Sequence, residues 1–195
     1  RRLLKKDMKK DWLVIPRRYS LNGFRWKVAK TDRFRDYHYL CYPVKTDWGH
    51  AMFPLEWHYT NELLIDDTMI FQGSCWFANR KYFMKRVGYL DHKSYGQFGT
   101  EQIEIGLKYW LKGGQVKVNK KTWYAHFHKE KRYYYEVLAV RNKSYKKSPS
   151  AIKGRTWATK HWMNNKEPDM IHPFSWLIEK FNPPNWPEDR KKWTI

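Results

Sequence analysis

The sequence predicts an α/β fold, and three observations carry that prediction. Residues 69–78 are mostly apolar and interrupted by Gly73 and Ser74, as a strand with a close backbone approach would be. Two helical stretches follow. One opens after Asn79 and stops at Gly88, and the other opens after Thr100 and stops at Gly113-Gly114. Beyond them, VKV at 116–118 and TWYAHFHK at 122–129 alternate with period two, as strands do.

The first helix, RKYFMKRV at 80–87, turns Phe83 and Val87 inward. The second, about 101–112, carries Ile103, Leu107, Trp110 and Leu111 as its apolar stripe. Glu101 and Glu104 lie in its first turn, where a negative charge suits the helix dipole. Glu104 is also spaced to pair with Lys108, which is a sufficient structural reason for it. Glu101 opens the helix beside a Gly-containing loop, where a side chain can project into a cleft. On the last strand, period two places His126 and His128 on one face.

Upstream of this unit the reading is coarser. Residues 1–10 suggest a short basic helix. Trp12–Ile15 is an apolar strand expected to stop at Pro16, leaving Arg17 and Arg18 at a strand end, where an open sheet binds ligands. Residues 20–60 read as loops and short strands, with 37–44 the best strand. Asp66-Asp67 reads as a turn or cap before a strand at 69–72. Downstream, 141–155 is basic and Ser-rich with Pro149 and Gly154, and reads as a linker. Helices are expected at 156–166 and 172–181, followed by a Pro-rich end.

A length of 195 residues with 42% hydrophobic content suits one domain and a tail. The division expected is 1–140 for the main unit and 141–195 for a basic linker and aromatic, Pro-rich extension packing on it. The net charge is +20. Residues 1–30 carry eleven Lys/Arg against Asp7 and Asp11, and residues 129–160 carry ten against Glu130 and Glu136. The basic charge therefore flanks a nearly balanced middle, and such fields attract phosphates. Two cysteines, Cys41 and Cys75, make neither a disulfide framework nor a zinc pair, so a reducing, cytoplasmic setting is the default expectation. No apolar run approaches the ~18 residues of a transmembrane helix.

Five pieces in order carry a resemblance: GSCWFANRKYF, GYLD, FGTEQIE, YWLKGG and YAHFHK. Together they resemble the C-terminal half of a GT-A glycosyltransferase of family 2 type, close in pattern to polypeptide N-acetylgalactosaminyltransferases. The resemblance implies a partial GT-A, Rossmann-like fold with a mixed sheet. The nucleotide-binding half and the DXD motif that the family places upstream are missing from these residues. The chain therefore reads as part of a longer enzyme or one half of a split one.

The resemblance also implies roles. Glu101 matches the family's active-site glutamate, and Glu104 the second acid of that motif. His126 matches the histidine that completes a divalent metal site, Mn2+ or Mg2+. Gly73 and Ser74 match small residues lying against the donor sugar. Lys129 and the basic stretch after it, including Lys131 and Arg132, match a loop that closes over a diphosphate. Trp76, Phe98 and Trp123 are candidate rings for stacking on sugar, with Phe98 where the family has Trp. Gln102 stands where many inverting members have an Asp base. An amide cannot abstract a proton, so inversion would need Glu101, Asp66 or Asp67 as base.

The function expected is transfer of a sugar from a nucleoside-diphosphate sugar to a hydroxyl of a saccharide or protein acceptor. Two other readings are a basic nucleic-acid-binding domain and a degenerate transferase half that only binds carbohydrate. The first is disfavoured because the charges flank the motif region and no nucleic-acid motif appears.

Overall fold

The computed structural model describes residues 9–22, 25–29, 34–46, 49–96, 100–127 and 149–195. The basic segment at 1–8, Phe98, His128, Lys129, Lys131 and Arg132 lie outside the described residues. Within them the chain is a mixed α/β structure around one five-stranded mixed sheet.

The sheet is built on two long strands, β1 (Trp12–Asn22) and a 13-residue strand, Gln115–Phe127, which lie parallel. The apolar run at Leu13–Ile15 does start β1, but Pro16 does not stop it. Pro16 lacks an N–H, which costs one ladder bond, and the ladder breaks register at that point. Pro16 pairs with Asn119 and Arg17 with Trp123, so three residues of the partner strand stand unpaired opposite the Pro16–Arg17 step. That irregularity also explains why two strands were expected at 116–118 and 122–129: they are one strand with a bulge between its halves.

β2 (Lys27–Ala29) pairs antiparallel with the end of β1. The next four strands stand outside this sheet. β3 (Tyr37–Leu40) pairs with β6 (Pro54–Trp57), and between them β4 (Val44–Thr46) pairs with β5 (Gly49–Ala51). Asp66 and Asp67 are inside β7 (Ile65–Asp67), which pairs antiparallel with the far edge of the 115–127 strand. The strand expected at 69–72 reduces to one bridge, His38 to Ile70. Its apolar residues Met69, Ile70 and Phe71 are buried all the same. β8 (Phe77–Ala78) pairs with Leu13 and Val14, and the 115–127 strand is β9.

α1 (Arg80–Arg86) is capped by the Asn79 side chain, which accepts from the Lys81 N–H, and Gly88 follows with φ +68°. α2 (His92–Tyr95) is one short turn. α3 (Glu101–Leu111) carries the central apolar stripe. Thr100 precedes it without capping it. Its hydroxyl donates to the Tyr95 carbonyl at 3.0 Å instead.

α4 (Pro149–Met163) begins inside the stretch expected to be a linker. Pro is well placed in a first helical turn because its missing N–H would be unpaired there anyway. Ala151, Ala158 and Trp162 then fall on one buried face, and the helix lies so close to α2 that a Cβ on Gly154 would overlap the Tyr95 carbonyl. α5 (Phe174–Phe181) adds Phe174, Leu177 and Ile178 to the same core, and Trp193 in the final 3-10 turn packs there too. Trp186 donates its indole N–H to the Leu40 carbonyl at 2.7 Å. No helix among the described residues is long and apolar enough to cross a membrane.

Candidate functional site

One cleft of about 660 Å³ gathers residues from widely separated parts of the chain. β1 supplies Arg18, β3 supplies His38, and the turn after Phe71 supplies Gln72, Gly73 and Ser74. The first turn of α3 supplies Glu101 and Gln102, β9 supplies His126, and α4 supplies Arg155. Phe53 and Leu55 make part of the apolar wall. Four positions that the sequence motifs single out, Gly73, Ser74, Glu101 and His126, therefore line the same space.

Gly73 sits in a turn, and the close approach it permits is by Glu101. A Cβ on Gly73 would lie 3.1 Å from Glu101 Oε1. The Ser74 hydroxyl is 2.6 Å from the Tyr124 hydroxyl. Tyr124 stands beside Arg18 in the β1–β9 register, and Ser20 stands beside His126. Burial pushes the Tyr124 phenol up, so it is a neutral hydrogen-bonding group at pH 7. Burial, reinforced by Arg18, presses the His126 imidazole below its ordinary value. Neutral imidazole is the form that can accept a hydrogen bond or ligate a metal.

The two arginines that the sequence placed together have different fates. Arg17 is bound by Asp36, its Nε and Nη2 donating to the carboxylate at 2.9 and 2.6 Å, with the guanidinium 3.9 Å from the centre of the Phe34 ring. It does not line the cleft. Arg18 does, although the residue is only 5% exposed. Neither arginine sits at a strand end, since β1 continues to Asn22.

The remaining expectations are placed elsewhere. Trp76 stacks on Phe83 at 5.4 Å and packs against the core, so it does not line the cleft. Trp123 is exposed and meets Tyr19 edge-on at 5.7 Å, also outside it. Glu104 is 1% exposed and accepts from Lys108 Nζ at 2.6 Å and from the Asp91 N–H at 3.0 Å. Its carboxylate borders a second, smaller depression that Glu101 shares. Asp66 accepts from the Tyr37 hydroxyl at 2.9 Å and from the Asn61 amide, while Asp67 is bound by Lys117 and by Lys180 at 2.8 Å. Neither acid lines the cleft, and among the described residues Glu101 is the carboxylate that does.

Among the described residues no group of three or more His, Cys, Asp or Glu side chains is placed to hold a metal ion. His126 by itself supplies one ligand where a divalent cation needs several. Sequence reasoning missed His38 and Arg155. His38 gives no local signal: it lies on β3, bridged to Ile70 and paired with β6, and these long-range pairings accompany its place in the cleft. Arg155 had one: it shares a helical face with Ala151, Ala158 and Trp162, an unusual place for a cation, and it is buried there.

No protein-family model matches the chain, and no curated protein matches it.

Proposed function

We propose that this cleft binds a nucleoside-diphosphate sugar and an acceptor hydroxyl, and that the chain is the acceptor-side part of a glycosyltransferase with a GT-A fold. The observation that carries the proposal is the convergence of Gly73, Ser74, Glu101 and His126. They come from three motif pieces up to 53 positions apart in sequence and line one cleft.

Each has work consistent with transfer. Gly73 lets the Glu101 carboxylate close in on the backbone beside the place a sugar ring would take. Glu101 presents a carboxylate from the start of α3, able to accept hydrogen bonds from sugar or acceptor hydroxyls and to fix their orientation. Gln102 lines the same wall and can hydrogen-bond but not abstract a proton, which leaves Glu101 as the base for an inverting displacement. His126 is kept neutral and provides one ligand position for a divalent cation. The described residues do not complete that site. By the resemblance, Lys129 and Arg132, outside the described residues, would screen the leaving diphosphate.

The test is donor hydrolysis and sugar transfer by the chain and by any longer form of it, compared with Glu101→Gln and His126→Ala. Each substitution is expected to lower the rate at least about tenfold, or roughly 1.4 kcal/mol in the barrier. Rates unchanged by both would remove the assignment. Salt-sensitive binding to single-stranded nucleic acid, with no affinity for a nucleotide sugar, would replace it with the nucleic-acid reading.

A further inference from the structure

Arg18 is a buried cation without a counter-charge of its own. Its guanidinium makes no hydrogen bond or ion pair among the described residues, and its Nε is fully buried without a partner. The nearby acids are already committed. Asp36 is bound by Arg17, and Glu56 by Arg35 at 2.6 Å. Each of those pairs is neutral as a unit, so the charge of Arg18 is left over. Burial depresses its pKa to about 10, and Arg35 adds to the depression. It nevertheless remains protonated at pH 7.

A second buried group in the same corner is also unsatisfied. His38 Nε2 has no hydrogen-bond partner among the described residues, and the residue is 5% exposed. Arg18 and His38 both line the cleft and continue into a small recess of about 10 Å³ with Gln72 and Tyr124. The recess does not include Glu101, which lines the main cleft and a separate depression. Two unpartnered polar side chains, both more than nine-tenths buried and lining one cleft, leave hydrogen-bonding capacity that an occupant can meet.

We propose that Arg18, with His38 beside it, forms an anion subsite in the cleft that takes a phosphate group. A guanidinium fork matches phosphate oxygens in bidentate geometry, and Arg155 brings a second guanidinium to the same cleft. One arginine would suffice for a carboxylate, whereas two suit a dianion. The Arg18–His38 corner of the cleft and its Glu101 wall then divide it between a charged group and a hydroxylated one. The same chemistry can come from the diphosphate of a sugar donor or from a phosphorylated acceptor. The subsite concerns the cleft of the proposed transferase, but its existence does not depend on sugar transfer.

The first probe is inorganic pyrophosphate, titrated calorimetrically into the chain and into Arg18→Met, with Lys153→Met as a variant that removes an exposed charge. With a net charge of +20, weak binding elsewhere is expected, so the difference between variants is what counts. Arg18→Met is expected to lose at least about tenfold in affinity, the value of one charge-assisted hydrogen bond, and Lys153→Met to lose little. Equal losses in the two variants, or none in either, overturn the proposal.

Thermal unfolding gives an independent readout. Removing an uncompensated buried charge should leave the ligand-free melting temperature of Arg18→Met unchanged or higher. A large fall would mean that the arginine supports the fold, and would overturn the proposal. The wild-type chain offers a third check that needs no variant: pyrophosphate must move the Arg18 Nε–H resonance, and an unmoved resonance counts against the subsite. Uridine diphosphate and glucose 6-phosphate then separate the sources, since the true class shows the larger loss on Arg18→Met. If Glu101→Gln and His126→Ala leave transfer untouched while Arg18→Met still loses pyrophosphate, the transferase reading fails and the anion subsite stands.

Discussion

Replacing Glu104 by Ala tests whether this acid belongs to the chemistry or to the core. Glu104 and Lys108 form an ion pair of 2.6 Å with both residues under 9% exposed. The same carboxylate oxygen accepts the Asp91 N–H. Glu104→Ala would strand a buried ammonium, at about 3–5 kcal/mol, and an amide N–H, at about 1–3 kcal/mol. One acid remains near the ammonium: Glu167 lies 4.0 Å from Lys108 Nζ, though it is already shared with Lys112 at 2.8 Å and His161 at 3.0 Å. The Val87 carbonyl also still accepts from Lys108 at 3.4 Å. These residual partners hold the expected total to the bottom of the combined range, about 4 kcal/mol. The double variant Glu104→Gln with Lys108→Met keeps an acceptor for Asp91 and removes both charges, so it should cost less than about 1.5 kcal/mol. Urea denaturation at constant m-value measures both. The double variant should also retain donor turnover. A single variant that loses less than about 1 kcal/mol, together with a double variant that is stable but inactive, would refute the structural assignment.

Three further outcomes follow from the same geometry. His38 has a folded-state pKa near 3, held down by burial and then by Arg18 and Arg35. The unfolded chain takes up this proton first, so His38 costs nothing above about pH 6.5 and destabilises progressively below it, by about 2 kcal/mol at pH 5. His38→Gln should flatten that part of the stability–pH curve, and an imidazole titrating near 6.5 in the folded chain would contradict it. Gly73→Ala would press a methyl against the Glu101 carboxylate at 3.1 Å, displacing a flexible side chain rather than backbone. Turnover should therefore fall while the melting temperature changes by only a few degrees, and wild-type activity in this variant would detach Gly73 from the site. Gly154→Ala would set a methyl on the backbone of Tyr95 and Gly96, with no side chain free to yield. It should cost about 3 kcal/mol or more, measurable as a large drop in the urea midpoint, and a near-neutral result would mean that α2 and α4 are farther apart than described.

The sequence was most informative where local rules decide the outcome. The span from Asn79 to Gly114 has a cap, two stripes and two glycine stops, and it folds accordingly. The rules misled where a partner distant in sequence overrode them. Pro16 reads as a strand stop, yet β9 accommodates it by a bulge. Pro149 and its basic neighbours read as linker, yet Ala151, Ala158 and Trp162 give the helix a buried face. Arg17 and Arg18 are indistinguishable in sequence. What separates them is Asp36, nineteen positions away, which binds one and not the other. Trp76 and Trp123 were equivalent as candidate rings, and only the position of Phe83 shows that one of them is part of the core.

The parallel pairing of β1 with β9 joins Trp12–Leu21 to Gln115–Phe127 across about a hundred intervening residues. Closing so long a loop has to precede the contacts that reward it, which makes this pairing slow among folding events. Arg18 and His126 reach one space only after that pairing, and Arg155 only after α4 has docked as well. No short contiguous piece of the chain contains the cleft, whose lining runs from Arg18 to Arg155. During synthesis, α1 to α3 can form early as local structure, while ligand binding must await emergence of the last third of the chain. A cleft ligand present at that stage would act on the final step of folding and on nothing before it.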